Sequence, residues 1–289
     1  MTESNNILDI LNQKINRVRV QQKGTGLKVD DRVETKAVYD TLQGLGFPTK
    51  TYLDKLEYLR LNKEDIAGID AGGYNGLTNT ITYPSDEILY HELFHVASSK
   101  NNSKATGITR YEKVFDADEK EEKRFVGMDE GITDMFAIMT KPDLPCGYPF
   151  EKLCAETLRD LFGVKVFNGY FNNSYEEFIR AFPDDVEISI IDLITDLDEY
   201  NKNSYTIFGN DYSNKKLSKE EIKDLKIEVT YLVEYIIEHL INIGQAVGKD
   251  KNTMLEYITN KINDPIFLYA KSFINYDKAL ENVSSMGLK

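Results

Sequence analysis

The residues best placed to do chemistry lie between Tyr90 and Ser98, in the run Y-H-E-L-F-H-V-A-S, where His91, Glu92 and His95 form an H-E-x-x-H pattern. Residues four apart on a helix share one face, so both imidazoles can meet one metal ion. Glu92 lies one position round the helix, from where its carboxylate can reach a water on the ion's open side and act as general base in a zinc hydrolase. The chain has only three histidines in 289 residues, which makes a chance occurrence of the pattern uncommon. The surrounding residues, Ile88, Leu89, Leu93, Phe94, Val96 and Ala97, are apolar. A helix apolar nearly all round is buried, and a buried histidine pair needs a metal or hydrogen-bond partners.

A catalytic zinc takes three protein ligands and keeps a fourth position open, so a third ligand must come from elsewhere in the chain. The longer pattern with a third histidine is absent: Ser98 stands where its glycine would be and Asn101 where its histidine would be. Downstream, the run from Met128 to Asp134 carries Glu130 and Asp134 in an E-x-x-x-D spacing. On a helix the two carboxylates share a face, with Glu130 towards the metal and Asp134 one turn along. Asp134 can accept the far ring N–H of a ligand histidine, fixing its tautomer and raising its basicity. Zn2+ is the expected ion, and manganese or cobalt can substitute on such ligands. A structural zinc would fill all four positions with Cys and His, and Cys146 and Cys154 lack metal-ligand spacing.

H-E-L-F-H followed by D-E-G-I-T-D resembles the gluzincin metallopeptidases, the thermolysin-like class whose third zinc ligand is the glutamate of an E-x-x-x-D helix. The resemblance covers residues 71–140, and the interval to Glu130 is longer than in thermolysin itself. It implies that His91, His95 and Glu130 bind zinc, that Glu92 is the base, that Asp134 orients a ligand histidine, and that the substrate is a peptide or protein. It also implies a zincin-like unit in which a small mixed sheet with an edge strand packs on the H-E-x-x-H helix. That edge strand would form the cleft rim at Gly72, Gly73 and Tyr74, where glycines admit an extended peptide; a turn or bulge explains the same glycines without a ligand. The run A-G-G-Y-N-G lacks the G-x-M-E-N motif of the clan's aminopeptidases, which favours an endopeptidase.

Several elements must position these groups. Apolar periodicity predicts helices over 7–21, 33–45 and 52–61, the second stopping at G-F-P. Ile81 and Tyr83 alternate with threonines after an N-G turn, which predicts a hairpin leading into the histidine helix. Ser85 is the expected N-cap of that helix, with Asp86 and Glu87 in the first turn where the helix dipole favours acids. The mixed charges of 116–124 read as a solvated helix face or loop, with a calcium site at Asp116, Asp118 and Glu119 as a minor alternative. The Glu130 helix should end before Pro142. Helices are expected at 149–162, 174–182, 184–200, 218–247, 252–262 and 266–285, with a break at 209–213. The whole reads as α+β, with a zincin subdomain at 1–145 and a mostly helical subdomain at 146–289 closing the cleft.

A net charge of -13 opposes nucleic acid and anionic lipid as partners. The amino terminus lacks a basic start and an apolar core, and no long apolar run suggests a membrane span. A cytoplasmic protein with free thiols at Cys146 and Cys154 is expected, or a secreted one with a local bridge if a leader has been removed. Two candidates arise for the donor to a tetrahedral intermediate. His239 lies beside an apolar stripe that suits a core residue equally well, and Tyr111 is one of 18 tyrosines. Two other readings stand beside the peptidase: a non-catalytic zinc-binding or peptide-binding module, and a toxin-type protease with one protein substrate.

Overall fold

The Asn75-Gly76 turn sets up the segment that carries the two histidines. In the computed structural model, which describes residues 25–64, 72–101, 103–113, 121–209 and 216–285, Asn75 Oδ1 accepts from the backbone N–H groups of Leu77 (3.1 Å) and Thr78 (3.2 Å). This Asx turn joins β2 (Gly73–Asn75) to β3 (Thr80–Tyr83), and the two pair antiparallel with Tyr74 opposite Ile81. β1 (Arg60–Lys63) lies parallel on the other side of β3, giving the order β1-β3-β2. The expected hairpin is present, and β2 is an edge strand of a small mixed sheet. The expected 7–21 helix and the Asp116, Asp118 and Glu119 run lie outside the described residues, as does most of the break at 209–213.

Helices α1 (Val33–Leu45), α2 (Lys50–Leu56) and α3 (Asp86–Ala97) complete this first unit. Gly46, at φ 71°, ends α1 in the left-handed conformation that glycine adopts without cost. Both α1 and α2 pack on α3, as do β2 and β3. Val38, Leu42, Tyr52, Leu56, Ile81, Leu89, Leu93 and Phe94 form its core. Each such side chain contributes about 1.5–3 kcal/mol on burial, enough to hold α3 firmly. Ser85 occupies the N-cap position but makes no side-chain cap bond. Asp86 in the first turn instead pairs with Arg32 (3.3 Å) and Lys63 (3.2 Å).

In the second unit, β4 (Arg110–Lys113) pairs antiparallel with β5 (Glu121–Arg124), so the last part of the charged run is a strand rather than a helix face or loop. Its polar residues on both faces hide the alternation that normally reveals a strand. Arg124 lies near Glu112 across the ladder (3.9 Å), while Arg110 faces Arg124 and Glu112 faces Glu122, so backbone pairing rather than charge holds the two strands. The longer helices are α4 (Val126–Thr140), α5 (Pro149–Phe162), α6 (Glu187–Phe208), α7 (Lys219–Ala246), α8 (Lys251–Ile262) and α9 (Tyr276–Ser285). α5 has the expected bounds. α6 runs past the expected 200 because Asn201, Ser204 and Ile207 are buried, so packing overrides weak local propensity. The expected 174–182 helix shortens to Tyr175–Ile179. The expected 266–285 helix is interrupted where Asn275 Oδ1 accepts from Lys278 N–H (3.0 Å) and starts α9 afresh.

The chain is mixed α+β and falls into two compact units, Met1–Gly107 with Phe171–Asn173 and Ile108–Tyr170 with Ser174–Lys289. This division differs from the one expected at residue 145. The Glu130 helix α4 packs on α5 and α6, and so groups with the helical part of the chain. Among the described residues no helix is long and apolar enough to cross a membrane.

Candidate metal centre

On α3 the spacing of four does what the sequence requires of it. The Nε2 atoms of His91 and His95 lie 3.1 Å apart, with ring planes at 71°. A tetrahedral zinc with bonds of about 2.0–2.1 Å separates neighbouring ligand nitrogens by roughly 3.3 Å, so the two rings are already spread as a shared ion demands. One ligand atom from each of His91, His95 and Glu130 lies within 4.8 Å of the others, and the group could hold a metal ion. Two imidazoles and one carboxylate are the donor set of a site with a position left open.

Glu92 is buried on the same helix. The backbone at Gly72 runs so close that a Cβ there would lie 2.9 Å from Glu92 Oε1 and 2.5 Å from Ile88 Cγ2. Gly72 is glycine because the chain entering β2 passes directly over the Glu92 side chain. Gly73, with open space where a Cβ would be, has no such constraint. The Tyr74 hydroxyl donates to Asn79 Oδ1 (2.9 Å) and accepts from the buried Lys55 Nζ (3.2 Å), an ammonium also bonded to Ser99 Oγ and to the Lys100 carbonyl (3.1 Å). These bonds give Tyr74 a part in holding the sheet to the end of α3.

Glu130 is placed by unusually close helix packing. Gly127 and Gly131, four apart on α4, let the backbones of α6 and α5 approach: a Cβ at Gly127 would lie 2.4 Å from Leu197 O, and one at Gly131 would lie 2.3 Å from Glu151 O. The first turn of α4 is capped from another helix, with Asp198 Oδ1 accepting from Val126 N–H (2.7 Å). Asp134, also buried, accepts from Tyr148 N–H (2.8 Å) and from the Cys146 thiol (3.3 Å), tying the segment before α5 to α4. Burial and the Asp134 carboxylate push the Cys146 thiol well up, so it stays protonated. Cys146 and Cys154 are both free thiols.

Two tyrosines that sequence reasoning did not single out stand near Glu130. Tyr205 on α6 donates its hydroxyl proton to the Tyr148 oxygen (2.6 Å). Burial, then the Glu130 charge, holds the Tyr148 phenol well above its usual range, so it remains a neutral donor. Nothing in the sequence pairs residues 148 and 205, since their meeting depends on how α5 and α6 pack.

Beneath them, Glu151 on α5 is buried and accepts from Asn201 Nδ2 (2.9 Å). Burial is the main reason its carboxyl is pushed up to about 7, with the Asp134 and Glu130 charges adding to the effect. A carboxyl raised in the folded state binds more protons there than when unfolded. Stability therefore falls as pH rises from the ordinary value of 4.5 to about 7, and is level above that. Glu151→Gln should accordingly gain on the wild type by about 2–3 kcal/mol between pH 4.5 and pH 8 in urea unfolding. A constant difference between the two proteins over that range would refute the shift.

His239 on α7 pairs with Asp196 Oδ2 on α6 (3.0 Å). That pair satisfies its ring in a partly exposed position, and His239 is not part of the metal-binding group. Tyr111 lies on β4 opposite Lys123 with its side chain exposed. Comparison with protein-family models, with characterised proteins and with solved structures gives no match.

Proposed function

We propose that the protein is a zinc-dependent metallopeptidase, an endopeptidase of the gluzincin kind, acting on a peptide or protein. The observation that carries this reading is the convergence of His91, His95 and Glu130 beside the buried Glu92. Zinc bound there would polarise a scissile carbonyl and acidify a water. Glu92 takes the proton from that water as it attacks, and returns it to the leaving amine. Asp134 keeps Glu130's helix in register with the Tyr148 segment. The Tyr148 phenol, neutral and backed by Tyr205, is a better donor to the developing oxyanion than either His239 or Tyr111. Strand β2, at the edge of the sheet among the described residues, supports an extended substrate with main-chain bonds at Gly73.

The test joins metal analysis to a peptide-library digest, with and without chelator. Purified protein should carry about one zinc per chain and cleave internal peptide bonds, and chelation should abolish cleavage until zinc is restored. His95→Ala should lose both metal and cleavage. A protein that binds zinc stoichiometrically and cuts no peptide would instead establish the non-catalytic module.

A further inference from the structure

Helix α7 is amphipathic twice over, once towards the core and once outwards. Its outward face carries Ile227, Tyr231 and Tyr235, spaced four apart and each about half exposed. Beside this stripe lies a groove of about 540 Å³ between α7 and α9, floored by Ile222, Ile227 and Tyr231. Lys219, Lys223, Lys226 and Lys278 stand round it. The sole acid among the described lining residues, Glu234, is buried and accepts from Asn282 Nδ2 (2.5 Å), so it does not offset the rim. Lys278 pairs with Glu281 (3.0 Å), and Lys226 lies 5.7 Å from the Phe273 ring, leaving Lys219 and Lys223 as the most outward cations. Of the other acids in the first half of the helix, Glu220 and Glu221 stand in its first turn, where Glu221 accepts from Ser218 N–H (2.7 Å), and Asp224 and Glu228 line a second depression on the other flank of the stripe.

The lining of this groove, four lysines and one buried acid among the described residues, departs from the net charge of -13 of the whole chain. We propose that this groove docks an acidic amphipathic helix from a protein partner, its apolar face on Ile227 and Tyr231 and its carboxylates against the lysines. From Lys219 to Glu234 the helix offers about 22 Å of contact, the length of a peptide of roughly 15 residues. Screening over about 8 Å confines the repulsion of the distant acids and lets the lysine rim govern at contact. A second copy of this chain pairing through the same face is the poorer occupant, because it would set one lysine rim against another. The proposal does not depend on the metal site.

The test is fluorescence anisotropy with the full chain and a labelled helical peptide of about 15 residues, leucines at helical spacing and glutamates elsewhere. Saturable binding is expected, weakening as salt is raised, and a peptide with lysines in place of the glutamates should not bind. Lys223→Glu with Lys226→Glu should weaken binding at least tenfold, and Lys223→Gln with Lys226→Gln by a smaller factor, with circular dichroism unchanged. Absence of saturable binding, equal binding of the lysine peptide, or indifference to both pairs of substitutions would overturn the proposal. So would sedimentation showing that the chain dimerises through this face.

Discussion

A Glu92→Gln protein is expected to hold its metal and lose peptide cleavage by roughly 10²–10⁴-fold. Glutamine has nearly the shape of glutamate, and the pocket under Gly72 constrains shape closely, since that backbone passes within contact of the Glu92 side chain. The substitution therefore leaves packing and the three candidate ligand atoms in place while removing the carboxylate proposed to take a proton from water. Metal content separates the possible failures. Retained cleavage would dismiss Glu92 as the base, whereas loss of the ion would recast it as a ligand. Glu92→Asp, which shortens the carboxylate by one methylene, should recover only part of the rate because the proton must be reached as well as accepted.

Gly131→Ala should destabilise the protein by about 1–3 kcal/mol, the usual cost of overpacking, or more. Local propensity predicts the opposite sign, because alanine favours a helix interior over glycine by about 1 kcal/mol. Packing decides the outcome. The new Cβ would stand 2.3 Å from the Glu151 carbonyl oxygen and 2.4 Å from its carbon. Both are backbone atoms that cannot rotate aside, so α4 and α5 must part. Thermal unfolding of the variant beside Gly73→Ala, where the added methyl meets open space, provides the comparison. A Gly131→Ala protein as stable as the wild type would mean that the two helices do not approach as closely as described.

How much of this was legible in the letters depends on whether the cause was local. The spacing of His91 and His95, the stop at Gly46, the Asn75-Gly76 turn and the bounds of α5 all follow from interactions within a few residues, and periodicity exposes them. Glu130 was reachable too, because its spacing to Asp134 marks a helix face even before that face is known to meet anything. The strand Glu121–Arg124 was not, since it depends on pairing with Arg110–Lys113 and its sequence lacks apolar alternation. The Tyr148 and Tyr205 pair depends on two helices meeting far along the chain. Gly127 and Gly131 did leave a trace, small residues four apart in the helix that carries Glu130. Its meaning, a close approach of neighbouring backbones, requires knowing what packs there.

The cap at the start of α4 reaches beyond local stability. Because the acceptor for Val126 belongs to α6, the first N–H of α4 depends on a partner outside its own helix. Asp129 Oδ1 ties the same turn to Ile108 N–H (2.9 Å), so fraying there breaks contacts to two other segments. Glu130 stands one turn further on, so its backbone is steadied by those contacts rather than left to the fraying of an isolated helix end. For an ion held by His91, His95 and Glu130, such a carboxylate would be slow to leave, and the ion's residence time would lengthen through a contact that never touches it.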